Sequence, residues 1–95
     1  MKPLFIPLKK EFFQAFIDGS KTIEYRKYGP RWNENTLKAG RRVILSLGYG
    51  KKHRISGVIV QWWKEHMASD AWMKCYGEAD LAACIEIKID RNFGF

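Results

Sequence analysis

A chain of 95 residues supports one domain with one small core and excludes a second. Its 46% hydrophobic and 15% aromatic content fills that core, and 17 Lys and Arg against 10 Asp and Glu leave a charge of +7 and a pI near 9.6. That balance favours polyanions such as RNA, DNA or an acidic partner, the alternative being a basic protein that binds none of them. No segment is long enough to span a bilayer, and no N-terminal apolar run carries a small-residue cleavage site, so a cytoplasmic protein with no membrane partner is expected.

In chain order, Lys2 to Leu8 reads as a first strand, which Pro3 and Pro7 restrict to a sheet edge or to strand ends because proline donates no ladder hydrogen bond. Lys9 to Asp18 reads as a helix with Phe12, Phe13, Phe16 and Ile17 on a core-facing stripe, stopped by a left-handed Gly19. Lys21 to Tyr28 is a second strand, broken by Gly29-Pro30, and Arg31 to Lys38 is a polar loop holding Trp32. A third strand, Arg41 to Leu47, puts Val43, Leu45 and Leu47 on one face. The glycine- and cation-rich loop Gly48 to Arg54 leads into a fourth, Ile55 to Trp62 or Trp63. Lys64 to Asp70 reads as irregular, Asp70 to Tyr76 as one or two helical turns ended by Gly77, and Ala82 to Asp90 as the most clearly alternating strand, with Ile85, Ile87 and Ile89 together. These elements predict an α+β fold, mainly β: a small mixed β-barrel of about five to six strands, one early helix and one shorter late helix. Cys75 and Cys84 form no Cys-x-x-Cys pair and are expected to be buried, reduced thiols.

The stretch Gly19-Ser20-Lys21-Thr22-Ile23-Glu24-Tyr25-Arg26 carries the chemistry. Strand alternation places Thr22, Glu24, Arg26 and Tyr28 on one face and Ile23, Tyr25 and Lys27 on the other. A carboxylate flanked by two cations suits a cleft for a polar ligand. Glu24 can accept from the amino group of a base, and Lys21 and Arg26 can meet phosphate or carbonyl oxygens. The same residues equally fit a structural Glu24–Arg26 ion pair. Strict alternation puts Lys21 on the Ile23 side, so it reaches the cleft only if the turn after Gly19 twists first.

The pattern Gly19-x-Lys21-x-x-Glu24-x-Arg26 resembles the signature of the ASCH family, small PUA-like β-barrel domains, and the lead-in Phe16-Ile17-Asp18-Gly19 is similar too. The continuation Tyr25-x-x-Tyr28-Gly29-Pro30-Arg31-Trp32-Asn33 resembles short stand-alone members from bacteria and phages. Many PUA-like domains have Gly-Asp before the strand that here follows Gly40-Arg41, a departure that adds positive charge. The resemblance implies one ASCH domain over residues 1–95, associated with RNA or a modified nucleoside. It also implies an alternative, a small hydrolase: some members are N4-acylcytidine amidohydrolases using a lysine, a threonine and a glutamate, and others are described as ribonucleases. On that alternative Lys21 and Glu24 are the catalytic candidates. Glu24 stands where the threonine is expected, Thr22 offers a nearby hydroxyl, and the second acid is Glu65, Glu78 or Glu86.

Two loops extend the binding set. Tyr28, Arg31 and Trp32 offer stacking and phosphate contacts for single-stranded bases, or Trp32 plugs the barrel end. Tyr49, Lys51, Lys52 and Arg54 can track a nucleic-acid backbone, or form a solvated hairpin tip. His53 and His66 lack partners at metal-ligand spacing, so no metal site is expected, and no cofactor motif is present; Gly48-Tyr49-Gly50 is too short for a phosphate loop. Trp62, Trp63 and Trp72 are assigned to packing. A third possibility is a protein whose basic surface meets an acidic partner protein.

Overall fold

Two prolines early in the chain and a 14-residue strand late in it set the layout of the sheet. The computed structural model describes residues 1–91. The order is β1 (Leu4–Leu8), α1 (Lys10–Asp18), β2 (Ile23–Lys27), β3 (Arg42–Leu47), β4 (Arg54–Met67), α2 (Asp70–Tyr76) and β5 (Asp80–Ile89). The strands form one mixed sheet in the order β1-β3-β4-β5-β2. β1 runs parallel to β3, and the other pairs are antiparallel. The proline-bearing β1 is an edge, one of the placements that its missing donor allows, and β2 is the other edge.

Alternation sorts the side chains onto two faces. The inner face gathers Ile6, Leu8, Val43, Leu45, Ile59, Ala83, Ile85, Ile87 and Ile89. Phe13 and Phe16 of α1 and Trp32 and Leu37 of the long β2–β3 loop complete that cluster. A smaller cluster on the outer face joins Trp72 of α2 to Ala82 and Cys84, with Ile23, Trp63 and Met67 against it. Phe12 and Ile17, expected with the core stripe, are partly exposed on the flanks of α1.

The fourth strand continues through Lys64, Glu65, His66 and Met67, a stretch that reads as irregular in the sequence. Ladder pairing with Ala83, Ala82, Leu81 and Asp80 carries it onward. The polar run hides the strand because Lys64, Glu65 and His66 are all exposed and show no apolar alternation. A bulge between Ile59 and Gln61 shifts the register, leaves Val60 exposed and reverses the parity. Trp62 therefore packs on the inner cluster and Trp63 on the outer. Gly57 sits where β4 and β5 cross closely: a Cβ there would lie 2.8 Å from the Lys88 carbonyl oxygen.

The ladder is not closed between β1 and β2, so the backbone does not make the barrel expected from the strand spacing. A side chain spans the gap instead: Arg26 Nη2 of β2 donates to the Pro7 carbonyl oxygen of β1 at 2.6 Å. No helix among the described residues is long and apolar enough to cross a membrane. Of the two cysteines, Cys84 is buried as expected, whereas Cys75 is exposed, in a short helix of which Trp72 is the buried residue.

Candidate functional site

Gly19 ends α1 with φ 86°, a left-handed turn open to glycine at little cost. The Ser20 amide then donates to the Asp18 carboxylate at 2.8 Å. Ser20's hydrogen bonds hold the Asp18 carboxyl below its ordinary value. The Lys21 amide reaches back to the Ala15 carbonyl oxygen at 3.1 Å. Strand geometry begins only at Ile23, so Lys21 is not bound by β2's alternation and can join the inward-facing residues. Its Nζ lies 3.4 Å from Glu24 Oε1. It also lies 5.2, 5.6 and 5.3 Å from the ring centres of Phe12, Phe16 and Tyr25.

Glu24 and Arg26 face the core side of β2, opposite Ile85 and Ala83. Glu24 is 6% exposed, and its Oε2 accepts from Arg26 Nε at 2.7 Å. The guanidinium, already joined to Pro7, lies over Trp32 with its centre 4.9 Å from the ring. Lys21, Glu24 and Arg26 thus form one connected cluster tying the end of α1, β2, β1 and the β2–β3 loop. Both Glu24 oxygens already hold cationic partners, whereas the side chains of Lys21 and Arg26 remain 18% and 19% exposed. Two cations against one carboxylate leave a surplus positive charge, with spare N–H donors on the solvent side. What this arrangement can do is hold an anion or a carbonyl oxygen.

No family model and no curated protein matches the chain. Function must therefore be argued from the side chains themselves.

Beside the cluster, Tyr28 donates its hydroxyl to Glu34, and Lys64 pairs with Glu34 at 3.3 Å while lying 4.8 Å from the Tyr28 ring centre. The hydrogen bond to Glu34 pushes the Tyr28 hydroxyl's pKa up and holds the Glu34 carboxyl down. Tyr28 is therefore committed to pinning the loop onto β4. Trp32 is buried in the core and carries Arg26 on its face, with Arg31 5.8 Å from the ring centre. It completes the rim as a plug, and Arg31 is the exposed member of that predicted pair.

A cleft of about 400 Å³ opens beside the cluster, lined by Phe16, Lys21, Thr22, Glu86 and Lys88 among others. Of the three charged residues of the motif, only Lys21 lines it. Glu86, one of three acids open in the sequence, accepts from Gln61 at 2.8 Å. The other two are engaged elsewhere: Glu65 accepts from the Cys84 thiol at 3.6 Å, and Glu78 pairs with Lys27 at 3.7 Å.

Tyr49, Lys51, Lys52 and Arg54 lie away from this cluster, in and after the β3–β4 loop, with Tyr49 against Phe5 of β1. Sequence reasoning passed over Phe12 and Tyr25, whose partly exposed rings flank Lys21. The sequence pattern sets Phe12 in a helical core stripe and Tyr25 on the apolar face of a strand. The signal that could have found them is their place on either side of Lys21, Phe12 about two helical turns before Gly19 and Tyr25 four residues after Lys21.

Proposed function

We infer that the chain is an ASCH-type, PUA-like domain that binds single-stranded nucleic acid, RNA foremost, with Lys21 and Arg26 meeting phosphate or carbonyl oxygens. The observation that carries this reading is the buried Glu24 carboxylate, which positions two partly exposed cations and is itself spent on them. Partly exposed Phe12 and Tyr25 add apolar ring surface next to that charge, the combination that single-strand binders use. The Gly19-to-Arg26 pattern supports the family assignment, and Arg26 bridging β1 and β2 supports a barrel completed by a side chain. Lys21 sits among partners for a cation, a carboxylate and three rings, which favours holding a charge over taking up a proton.

The test is a titration of oligomeric RNA and DNA at two salt concentrations with wild-type chain, Lys21→Ala and Arg26→Ala. Each lost phosphate contact lowers the log–log salt slope by about 0.7 for a single strand. Absence of binding at low salt, or a slope unchanged in both variants, would refute the reading.

One observation favours a second reading. Lys21, Thr22 and Glu86 line the same cleft, bringing together the three residue types of the amidohydrolase to which the motif is similar. On this reading Glu86 supplies the acid and Thr22 the hydroxyl that Glu24 displaces. Incubation with N4-acetylcytidine would give cytidine with the wild-type chain and none with Lys21→Ala. Intact substrate with both removes this reading and leaves the first untouched.

A further inference from the structure

The sheet has an outer face that the two core clusters do not fill. Phe13 and Phe16 of α1 pack on the inner side, and Trp72 of α2 covers the outer side only where β4, β5 and β2 meet. At the opposite end, the outer positions of β1, β3 and β4 follow from the register. Phe5 stands beside Ile44, which in turn neighbours Ser56, and Arg42 beside Val58, which in turn neighbours Lys88. These side chains are exposed or half-buried.

An aromatic pair stands at the rim of this face. Tyr49, at 78% the most exposed ring in the described chain, lies with its ring centre 6.1 Å from that of Phe5. The guanidinium of Arg54 lies 5.1 Å from the Phe5 ring centre and is anchored by a 3.2 Å hydrogen bond from Nε to the Gly50 carbonyl oxygen. Ser46 Oγ donates to the same oxygen at 3.1 Å, which ties the loop down over β3. Tyr49 is therefore exposed on a fastened loop, so little order has to be imposed when a ring stacks on it. The surrounding charge is of one sign: Lys51, Lys52, Arg54 and Lys88 are exposed, and the nearby carboxylate, Asp90, is engaged by Arg42.

We propose that this outer β1–β3–β4 face is a second nucleic-acid surface, with a base stacked on Tyr49 and the flanking phosphates on Arg54, Lys51 and Lys52. It rests on the nucleic-acid reading above and adds to it a ligand class: an oligonucleotide, not a lone nucleoside. β1 connects the two surfaces. Arg26 holds the Pro7 carbonyl oxygen, the next carbonyl oxygen, of Leu8, accepts from the Gly48 amide at 3.0 Å, and Phe5 meets Tyr49. A strand gripped at Arg26 therefore needs only to cross the edge of β1 to reach Tyr49. An acidic protein would satisfy the cations equally well; the exposed ring on a fixed loop is what favours bases.

The experiment measures binding of fluorescently labelled oligouridylates of three and twelve nucleotides, with a polyglutamate peptide as the charge control. The wild-type chain is expected to bind the longer oligomer more tightly. Tyr49→Ala, at a site too exposed to disturb the core, should weaken the longer oligomer roughly 5- to 150-fold. It should leave the shorter one unchanged, and Tyr49→Phe should restore the loss. Lys21→Ala should weaken both lengths. If the wild-type chain binds both oligomers and Tyr49→Ala binds the longer one equally well, the second surface is refuted while the first reading stands. If neither oligomer binds, the reading beneath it fails. Polyglutamate bound as tightly as the longer oligomer, with the same loss in Tyr49→Ala, overturns the choice of nucleic acid.

Discussion

Replacing Glu24 with glutamine separates a carboxylate that positions its neighbours from one that touches ligand. The side chain keeps its size but loses its charge. Its amide oxygen can still accept from one cation, while its NH2 group must face the other. Both partners are close, Arg26 Nε at 2.7 Å and Lys21 Nζ at 3.4 Å, and all three side chains are at least four-fifths buried. Breaking a fully buried pair costs roughly 3–5 kcal/mol and an exposed one about 0–1 kcal/mol. With the cations partly solvated and one acceptor retained, about 2–3 kcal/mol is expected for Glu24→Gln. A chain of this size loses roughly 4–8 °C of Tm per kcal/mol, so Tm should fall by roughly 8–24 °C. Thermal unfolding followed by circular dichroism reads this directly. The same variant should bind RNA more weakly at a temperature where it remains folded, although it is one charge more positive. A model in which only net charge matters predicts tighter binding instead. Glu24→Gln with wild-type Tm and lost binding would mean that the carboxylate contacts the ligand itself, and the positioning argument would be wrong.

Three further outcomes follow from single positions. Gly57→Ala places a Cβ 2.8 Å from the Lys88 carbonyl oxygen and 3.1 Å from the Ile89 Cα, backbone atoms that cannot swing aside; a loss of about 1–3 kcal/mol in urea unfolding is expected. Gly29→Ala meets nothing within 4 Å and serves as the neutral control. Burial, then the hydrogen bond to Glu65, pushes the Cys84 thiol up to about 11, whereas Cys75 is exposed. Iodoacetamide at about pH 8 should therefore label Cys75 alone in the folded chain and both thiols in denaturant, as read by mass spectrometry. Equal labelling of Cys84 in the folded chain would contradict its placement. The Leu81 amide and then Lys27 hold the Asp80 carboxyl down, as Tyr28 does for Glu34. Both depressed pKa values contribute stability above the ordinary carboxylate range that is lost as pH falls through their folded values. Tm should decline below about pH 4, and less steeply in Glu34→Gln. The raised pKa of Tyr28 has the opposite sense, its contribution being lost only in alkali.

Most of the element order was legible because the residues that end elements are unambiguous. Gly19 and Gly77 stop their helices in left-handed geometry, and Pro7 marks an edge. The alternating isoleucines of β5 read correctly because all three face one core. What stayed hidden depended on partners far along the chain. The end of β4 has a polar sequence and becomes strand through β5, while the bulge before Gln61 reverses the parity on which a sequence reading depends. The open ladder between β1 and β2 was equally invisible, since strand spacing says nothing about whether the last two edges meet. At the site, the residues of the charged cluster are named by the sequence, and so is the Glu24–Arg26 ion pair, one of the two uses left open there. Alternation gave Glu24 and Arg26 a common face without showing that it was the inner one. The three rings around Lys21 come from two elements whose approach no local pattern encodes.

The inward placement of Glu24 also explains why an excess of cations can coexist with a stable small fold. A lone buried arginine would cost several kcal/mol in lost solvation, and a buried carboxylate would cost as much. Set against each other at the edge of the core, and joined by Lys21 from a turn that strand geometry does not constrain, they offset that cost. The cluster keeps one positive charge facing solvent. The other acids near cations on the sheet, Asp80, Glu78, Asp90 and Glu34, are matched to Lys27, Arg42 and Lys64. Those cations each have carboxylates of their own, whereas Lys21 and Arg26 share the single carboxylate of Glu24. That is why substitutions at Lys21, Arg26 and Tyr49 should change binding far more than the same substitutions at Lys27 or Lys64, whose charges are already answered within the chain.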